Sequence, residues 1–274
     1  MIRTLINAEW KLLKNESLDM GSAAFDFQRG LYETFRTLNH RALFLEAHIN
    51  RLTSGAEKIG LFINYSDREI RSLAEMVIRD SPQADQRVRL LAVPHNLILY
   101  SEALDLKLSI YRGVKTITVN SLRLIPELKT TDYSACLKAW LQARGTGAYE
   151  ALLNDDNGHI YEGSRSNVFW VRNKKLFTRE ADVLPGITRQ IVISKFPRRT
   201  NYGILNKKDL NRIDEMFITN SGSGIVPVIK VNEQVVGFGS VGSITRQLLK
   251  LYKGLIEAES RVVNTDIFKD KEVF

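Results

Sequence analysis

A chain of 274 residues with 44% hydrophobic content can bury one large core or two of ordinary size, and no apolar run approaches the roughly 20 residues that cross a membrane. The start, Met1-Ile2-Arg3-Thr4-Leu5, lacks the charged head, apolar stretch and cleavage site of a secretion signal, so the cytoplasm is the expected location. A net charge of +8 suits anionic small molecules, but its clusters (Arg172 to Lys175, Pro197 to Arg199, Asn206 to Lys208) read as turns or solvated faces without interleaved aromatics, which argues against nucleic-acid binding.

In chain order, residues 1–12 and about 30–38 read as strands. Phe44, Leu45, His48, Leu52, Ala56 and Ile59 recur at helical spacing and predict a helix over 44–59. Ser66 with Glu69 forms a capping box ahead of Ile70, Leu73, Ala74 and Val77, a second helix that stops before Pro82. Strands are expected over 87–93, 97–100, 106–111 and 116–119. A helix over about 133–143 holds Cys136, the only cysteine, read as a small packed residue. One cysteine excludes an intramolecular disulfide and argues against a cysteine-built metal site.

Asp155-Asp156-Asn157-Gly158 carries an Asn-Gly step and joins two strands, 149–154 and 159–162, as a hairpin. Further strands are expected over 167–171, 176–178, 214–219 and 226–231, with helices over about 188–196 and 241–256. The charged tail after Glu257 is expected to pack poorly. Strand-rich stretches broken by separate helices predict an α+β chain in two domains, residues 1–115 and 116–274.

Two segments have the form of anion cradles. Leu184-Pro185-Gly186-Ile187-Thr188-Arg189 opens a helix; Thr188 is suited to cap it, and first-turn N–H groups can hold a phosphate. Most capped helices bind nothing, and Gly242-Ser243-Ile244-Thr245-Arg246 opens the last helix with the same Thr-Arg step. Thr219-Asn220-Ser221-Gly222-Ser223-Gly224 follows a strand and could present N–H groups to one concavity, or be an ordinary glycine-rich turn. With no Walker-type or Gly-x-Gly-x-x-Gly motif, the pair points to a lone phosphate. Glu162, before Gly163-Ser164-Arg165-Ser166-Asn167, could approach a flat ligand edge-on or lie on the surface. Lys129, in Glu127-Leu128-Lys129-Thr130-Thr131, is by composition one lysine among many.

In this order and spacing these segments resemble fold-type-IV pyridoxal-phosphate enzymes, the class of branched-chain and D-amino-acid aminotransferases and aminodeoxychorismate lyase. The likeness runs from about Ala24 to Leu251. Gly30-Leu31-Tyr32-Glu33-Thr34 resembles the family's Gly-Val-Tyr/Phe-Glu segment and places Tyr32 on the substrate side. His48-Ile49-Asn50-Arg51-Leu52 resembles its His-x-x-Arg-Leu helix, which implies that Arg51 holds the cofactor phosphate. The resemblance further implies that Lys129 carries pyridoxal 5'-phosphate as a Schiff base and Glu162 meets the pyridine nitrogen. It adds the backbone of Ile187 and Thr188, with Ser221, as phosphate anchors, and a site between two domains of a homodimer.

Four departures fall on the substrate side. Phe27-Gln28-Arg29-Gly30 replaces the family's Phe-Gly-Asp-Gly, and Gly224 replaces a glutamate. The strand-end arginine and histidine that grip the carboxylate in D-amino-acid enzymes are missing, with His95 and Arg165 as the available substitutes. The short 95–128 stretch is expected to leave that side of the pocket without its usual wall. The leading expectation is an aminotransferase acting on a small or branched-chain amino acid and a 2-oxo acid. The alternatives are aminodeoxychorismate lyase, suggested by Asn167-Val168-Phe169-Trp170, and a non-catalytic basic binding protein.

Overall fold

The structure, a computed structural model, describes residues 1–196 and 199–261; Pro197, Arg198 and the tail beyond Arg261 lie outside the described residues, and with them most of the tail expected to pack poorly. The fold is α+β, built on two sheets.

Residues 1–12, expected as strand, fold into a hairpin of β1 (Ile2–Ile6) and β2 (Glu9–Leu13). Asn7 and Ala8 turn it with φ of 49° and 66°, the left-handed backbone of a tight primed turn. There follow β3 (Leu31–Leu38), β4 (Arg41–Ala42), α1 (Leu45–Lys58), α2 (Asp67–Asp80), β5 (Gln86–Val93) and β6 (Asn96–Ala103). The sheet is antiparallel throughout, in the order β2-β1-β6-β5-β3-β4. Alternation along β3 sends Leu31 and Phe35 to the core under α1 and α2, and Tyr32 to the opposite face.

The helix ends differ from expectation at α1. Phe44 stands outside it at φ 55° and packs on the second half of the chain; Ile59 is 42% exposed beyond its other end. The capping box of α2 forms as expected: Ser66 N donates to Glu69 Oε2 at 2.7 Å and Glu69 N to Ser66 Oγ at 3.4 Å.

The expected strand over 106–111 is absent, because β6 already has β1 and β5 on its two edges. The chain instead makes a short 3-10 turn at Leu108–Arg112, with Leu108 exposed. Gly113, at φ 111°, then leads into β7 (Val114–Asn120); a Cβ there would sit 2.4 Å from the Ile229 side chain.

After β7 come α3 (Ser134–Gly145), β8 (Glu150–Asn154), β9 (His159–Gly163), β10 (Ser166–Arg172), β11 (Lys175–Thr178), α4 (Ile187–Lys195), β12 (Asn201–Tyr202), β13 (Leu205–Asn206), β14 (Glu215–Asn220), β15 (Gly224–Val231), β16 (Gln234–Val235) and α5 (Ser243–Glu259). Strands β10-β14-β15-β7-β8-β9 pair in sequence and β9 pairs back to β10, so six strands close a ring. Val168, Trp170, Met216, Ile218 and Val226 fill it, while Phe169, Phe217 and Ile225 point outward under α4 and α5. Ala151 and Leu153 meet Cys136 and Ala139 of α3, so the cysteine is a packed residue as expected.

Candidate active site

One rim of the ring gathers the start of β8, the end of β9, the start of β10, and the β14–β15 turn. Between this rim and the first sheet lies a cleft of about 580 Å³, and Tyr32, Arg51, Lys129, Glu162, Ile187, Thr188 and Ser221 all line it. Residues from six elements and loops, far apart in sequence, thus share one space.

Lys129 is fixed by its backbone. Tyr32 N donates to Lys129 O at 2.9 Å, Thr131 N to Gly30 O at 2.8 Å, and Gly30 N to Thr131 Oγ1 at 2.8 Å. The loop is therefore laced to the start of β3. Glycine is needed at position 30, where a Cβ would stand 2.1 Å from Ala92 O. The Lys129 ammonium lies 4.3 Å from the centre of the Tyr32 ring.

Glu162, at the end of β9, is 4% exposed. Arg123 Nη1 donates to its Oε1 at 3.1 Å and Leu184 N to its Oε2 at 3.0 Å. Burial pushes its carboxyl above the ordinary value, against the pull of Arg123.

Arg51 belongs to a buried triad. Its Nε and Nη2 each donate at 2.7 Å to the two oxygens of Glu33, in the forked geometry favoured by guanidinium and carboxylate. Its Nη1 donates to Pro185 O at 3.0 Å, joining α1 to the loop before α4. His48 Nδ1 meets Glu33 Oε2 at 2.7 Å, and its Nε2 lies 3.4 Å from Ser221 Oγ. Burial would raise the Glu33 carboxyl, yet Arg51 and His48 hold it down at about 2. Burial lowers His48, so the ring is neutral at neutral pH and Arg51 is the standing counter-charge. With Glu33 ionised, Nδ1 of His48 carries the proton and Nε2 accepts from Ser221.

The two Thr-Arg helix starts now separate. At α5 the first-turn N–H groups are used: Ile244 N donates to Glu215 Oε1 at 3.0 Å and Thr245 N to Glu215 Oε2 at 2.7 Å. At α4 no carboxylate does this among the described residues, and Ile187 and Thr188 face the cleft. Thr188, expected to cap α4, does not: Gly186 occupies the cap position with no side-chain bond. Thr188 is instead buried, because the helix begins at Ile187 and turns its side chain inward. At the second cradle Asn220 Oδ1 accepts from Ser223 N at 2.7 Å, and Tyr111 donates to Ser223 O at 2.8 Å. Gly224, at φ 71°, lies where a Cβ would stand 2.4 Å from the Tyr252 ring, so the family's glutamate has no room here.

On the substrate side, two expectations change. His95 sits at the tip of the β5–β6 hairpin at φ 65°, and among the described residues only its carbonyl is engaged, by Asn7 Nδ2 at 3.1 Å. It is outside the cleft, because β5 continues through buried Val93 before turning. From the short stretch, Leu104, Lys107 and Ile110 line the cleft and form its wall on that side. Gln28 and Arg29 do not line it; Arg29 reaches Asp132 at 3.6 Å. Arg165 does, with its guanidinium 4.5 Å from the Trp140 ring centre. Sequence reasoning misses Glu33, His48 and Arg123 as site residues, and also Arg87 and Arg89. Two-residue spacing on a strand, which places both on one face, is the available signal for the last pair.

Comparison with known proteins finds relatives along most of the chain. A Methanocaldococcus jannaschii protein provisionally named branched-chain-amino-acid aminotransferase is 28% identical over 82% of this chain and 86% of its own. The D-alanine aminotransferase of Bacillus licheniformis is 25% identical over 94% of this chain and 99% of its own. The crystal structure of the T.th. branched-chain amino acid aminotransferase with pyridoxamine 5'-phosphate superposes with a TM-score of 0.82 at 21% identity, covering 94% of each chain. The family pattern of amino-transferase class IV matches residues 30–231. This protein belongs to the class IV aminotransferases.

Proposed function

We propose that the protein is a pyridoxal 5'-phosphate enzyme that moves an amino group between a small or branched-chain amino acid and a 2-oxo acid. The observation that carries this reading is the cleft itself, where Lys129, Glu162 and the free N–H groups of α4 converge. The residues fit the cofactor. The α4 first turn is an anion site left open, whereas that of α5 is filled by Glu215. Thr219 Oγ1, at the same rim, is buried with no hydrogen-bond partner among the described residues.

In this reading Ile187 N, Thr188 N, Ser221 and Arg51 hold the phosphate. Glu162 holds a proton on the ring nitrogen by a charge-assisted hydrogen bond. The bound cofactor supplies an electron sink that lets the substrate's α-proton leave. Lys129 would anchor the cofactor and would take and return the substrate's α-proton at Nζ. Tyr32, beneath Lys129, orients the substrate. The proposal extends to a cytoplasmic homodimer; the exposed Leu122, Leu124 and Ile125 beside the Lys129 loop give it an apolar face, and sedimentation tests it.

Borohydride reduction of the reconstituted protein, followed by peptide mapping, is expected to place a pyridoxyl group on Lys129. A label elsewhere, or none, defeats the reading. Each candidate substrate is then mixed separately with the loaded protein. L-branched-chain amino acids are expected to release 2-oxo acids, and D-phenylalanine to react poorly, because the strand-end arginine and histidine that grip a D-amino-acid carboxylate are missing. Release of p-aminobenzoate from aminodeoxychorismate, with no 2-oxo acid from any amino acid, would replace transamination by lyase chemistry.

Arg51→Lys keeps a cation beside Glu33 but loses the fork. It is expected to raise the Kd for pyridoxal phosphate by about tenfold, the worth of one charged hydrogen bond, with kcat at saturating cofactor much less affected. Equilibrium titration against steady-state kinetics separates the two. An unchanged Kd would remove Arg51 from the phosphate site.

A further inference from the structure

We propose that Arg123 is a positioning residue that locks the Glu162 carboxylate and the Lys129 loop into one unit, an inference that rests on the functional reading above. Residues 121–133, between β7 and α3, contain no helix and no extended strand; backbone bonds to other elements hold Ser121 and the stretch from Lys129 to Thr131, and side-chain bonds fix the path between. Arg123 supplies them from within the loop. Its Nη1 donates to Pro126 O at 2.9 Å and to Glu162 Oε1 at 3.1 Å, and its Nη2 donates to Leu128 O. Leu128 O is the carbonyl immediately before Lys129. The carbonyl of Lys129 itself accepts from Tyr32 N at 2.9 Å. The lysine is therefore gripped on both sides along the chain, once by Arg123 and once by β3.

The same guanidinium fixes Glu162. With Arg123 on Oε1 and Leu184 N on Oε2, the carboxylate cannot rotate, and both partners are themselves tied to site loops. The side chains of Arg123 and Glu162 are 15% and 5% exposed, so water offers little substitute for either bond. An arginine is required because one planar fork must serve a carboxylate and two carbonyls that lie in different directions; an ammonium reaches fewer of them. Arg123 thus acts through Glu162 and Lys129.

The test compares wild type, Arg123→Gln and Arg123→Lys, each prepared without cofactor and after loading with pyridoxal phosphate. In the cofactor-free protein, amide hydrogen exchange of the 121–132 peptide is expected to accelerate in Arg123→Gln. In the loaded protein its kcat is expected to fall about ten- to a hundredfold, the range of one lost charged hydrogen bond, with KM for the amino acid little changed. Arg123→Lys, which restores a charge beside Glu162, is expected to recover kcat more than loop protection. Normal exchange and normal kcat in Arg123→Gln, with the wild type labelled on Lys129, would overturn this inference alone. A fall in kcat/KM carried by KM, with exchange unchanged, would also overturn it, since that is the signature of substrate contact. A wild type unlabelled at Lys129 overturns the functional reading as well.

Discussion

Lys129→Ala is expected to lower kcat for transamination by about a hundred- to ten-thousandfold, the span associated with a lost acid–base group. The fold should survive the change. Lys129 is held by its carbonyl, which accepts from Tyr32 N, and that bond does not depend on the side chain. What the ammonium contributes to stability is its position over the Tyr32 ring, an interaction on the order of 1 kcal/mol at most for a partly exposed pair. Thermal unfolding should therefore shift by only a few degrees. Lys129→Arg is the companion variant, since it keeps a cation over Tyr32 but offers no amine of ordinary nucleophilicity. Both variants are expected to lose covalent attachment, seen as loss of the borohydride label, while phosphate contacts continue to hold the cofactor. Turnover within tenfold of wild type in Lys129→Ala would remove the lysine from the reaction.

Much of this fold can be read locally, and the limits have physical causes. The Ser66 and Glu69 capping box and the Asn157-Gly158 turn are short-range devices whose partners lie within four residues, so a linear reading finds them. Gly158, at φ 82°, takes the left-handed turn that the Asn-Gly step announces. The missing strand at 106–111 cannot be found this way. Its residues have strand character, but whether they pair depends on β6 having a free edge, which is a property of the whole sheet. The site divides along the same line. Motif spacing points to Lys129, Glu162 and the Gly186 to Arg189 turn, and the structure brings them to one cleft. Motif spacing cannot say why α4 rather than α5 is open to an anion. Glu215 decides that from 29 residues before Ile244. Nor can it pair Glu33 with Arg51, because strand β3 and helix α1 meet only when the sheet has folded.

That pair is the basis of the largest stability effect expected. Glu33 is 1% exposed and its carboxyl is held at about 2, against an ordinary value of 4.5. The difference corresponds to a stabilisation on the order of 3 kcal/mol at neutral pH. Glu33→Gln keeps the shape and removes the charge, leaving the Arg51 guanidinium, 13% exposed, without its counter-ion. A loss of about 3 kcal/mol in unfolding free energy is expected, in line with breaking one side of a buried pair. The pH dependence identifies the cause. A carboxyl with a depressed folded value contributes fully above its unfolded value and loses that contribution as pH falls from 4.5 towards 2. His48 acts in the same direction at higher pH. Burial keeps it neutral in the fold, so the unfolded chain binds the proton first and wild-type stability begins to fall below 6.5. Glu33→Gln removes the lower stage, so its deficit against wild type should shrink by about 1.4 kcal/mol per pH unit once pH drops below the unfolded carboxyl value. Urea unfolding of both proteins at neutral pH and near pH 3.5 measures this. A deficit that is small at neutral pH, or equal at the two, would show that Arg51 and Glu33 are not the coupled pair the geometry describes. The same substitution frees Arg51 to swing away from Pro185, so cofactor affinity should fall along with stability.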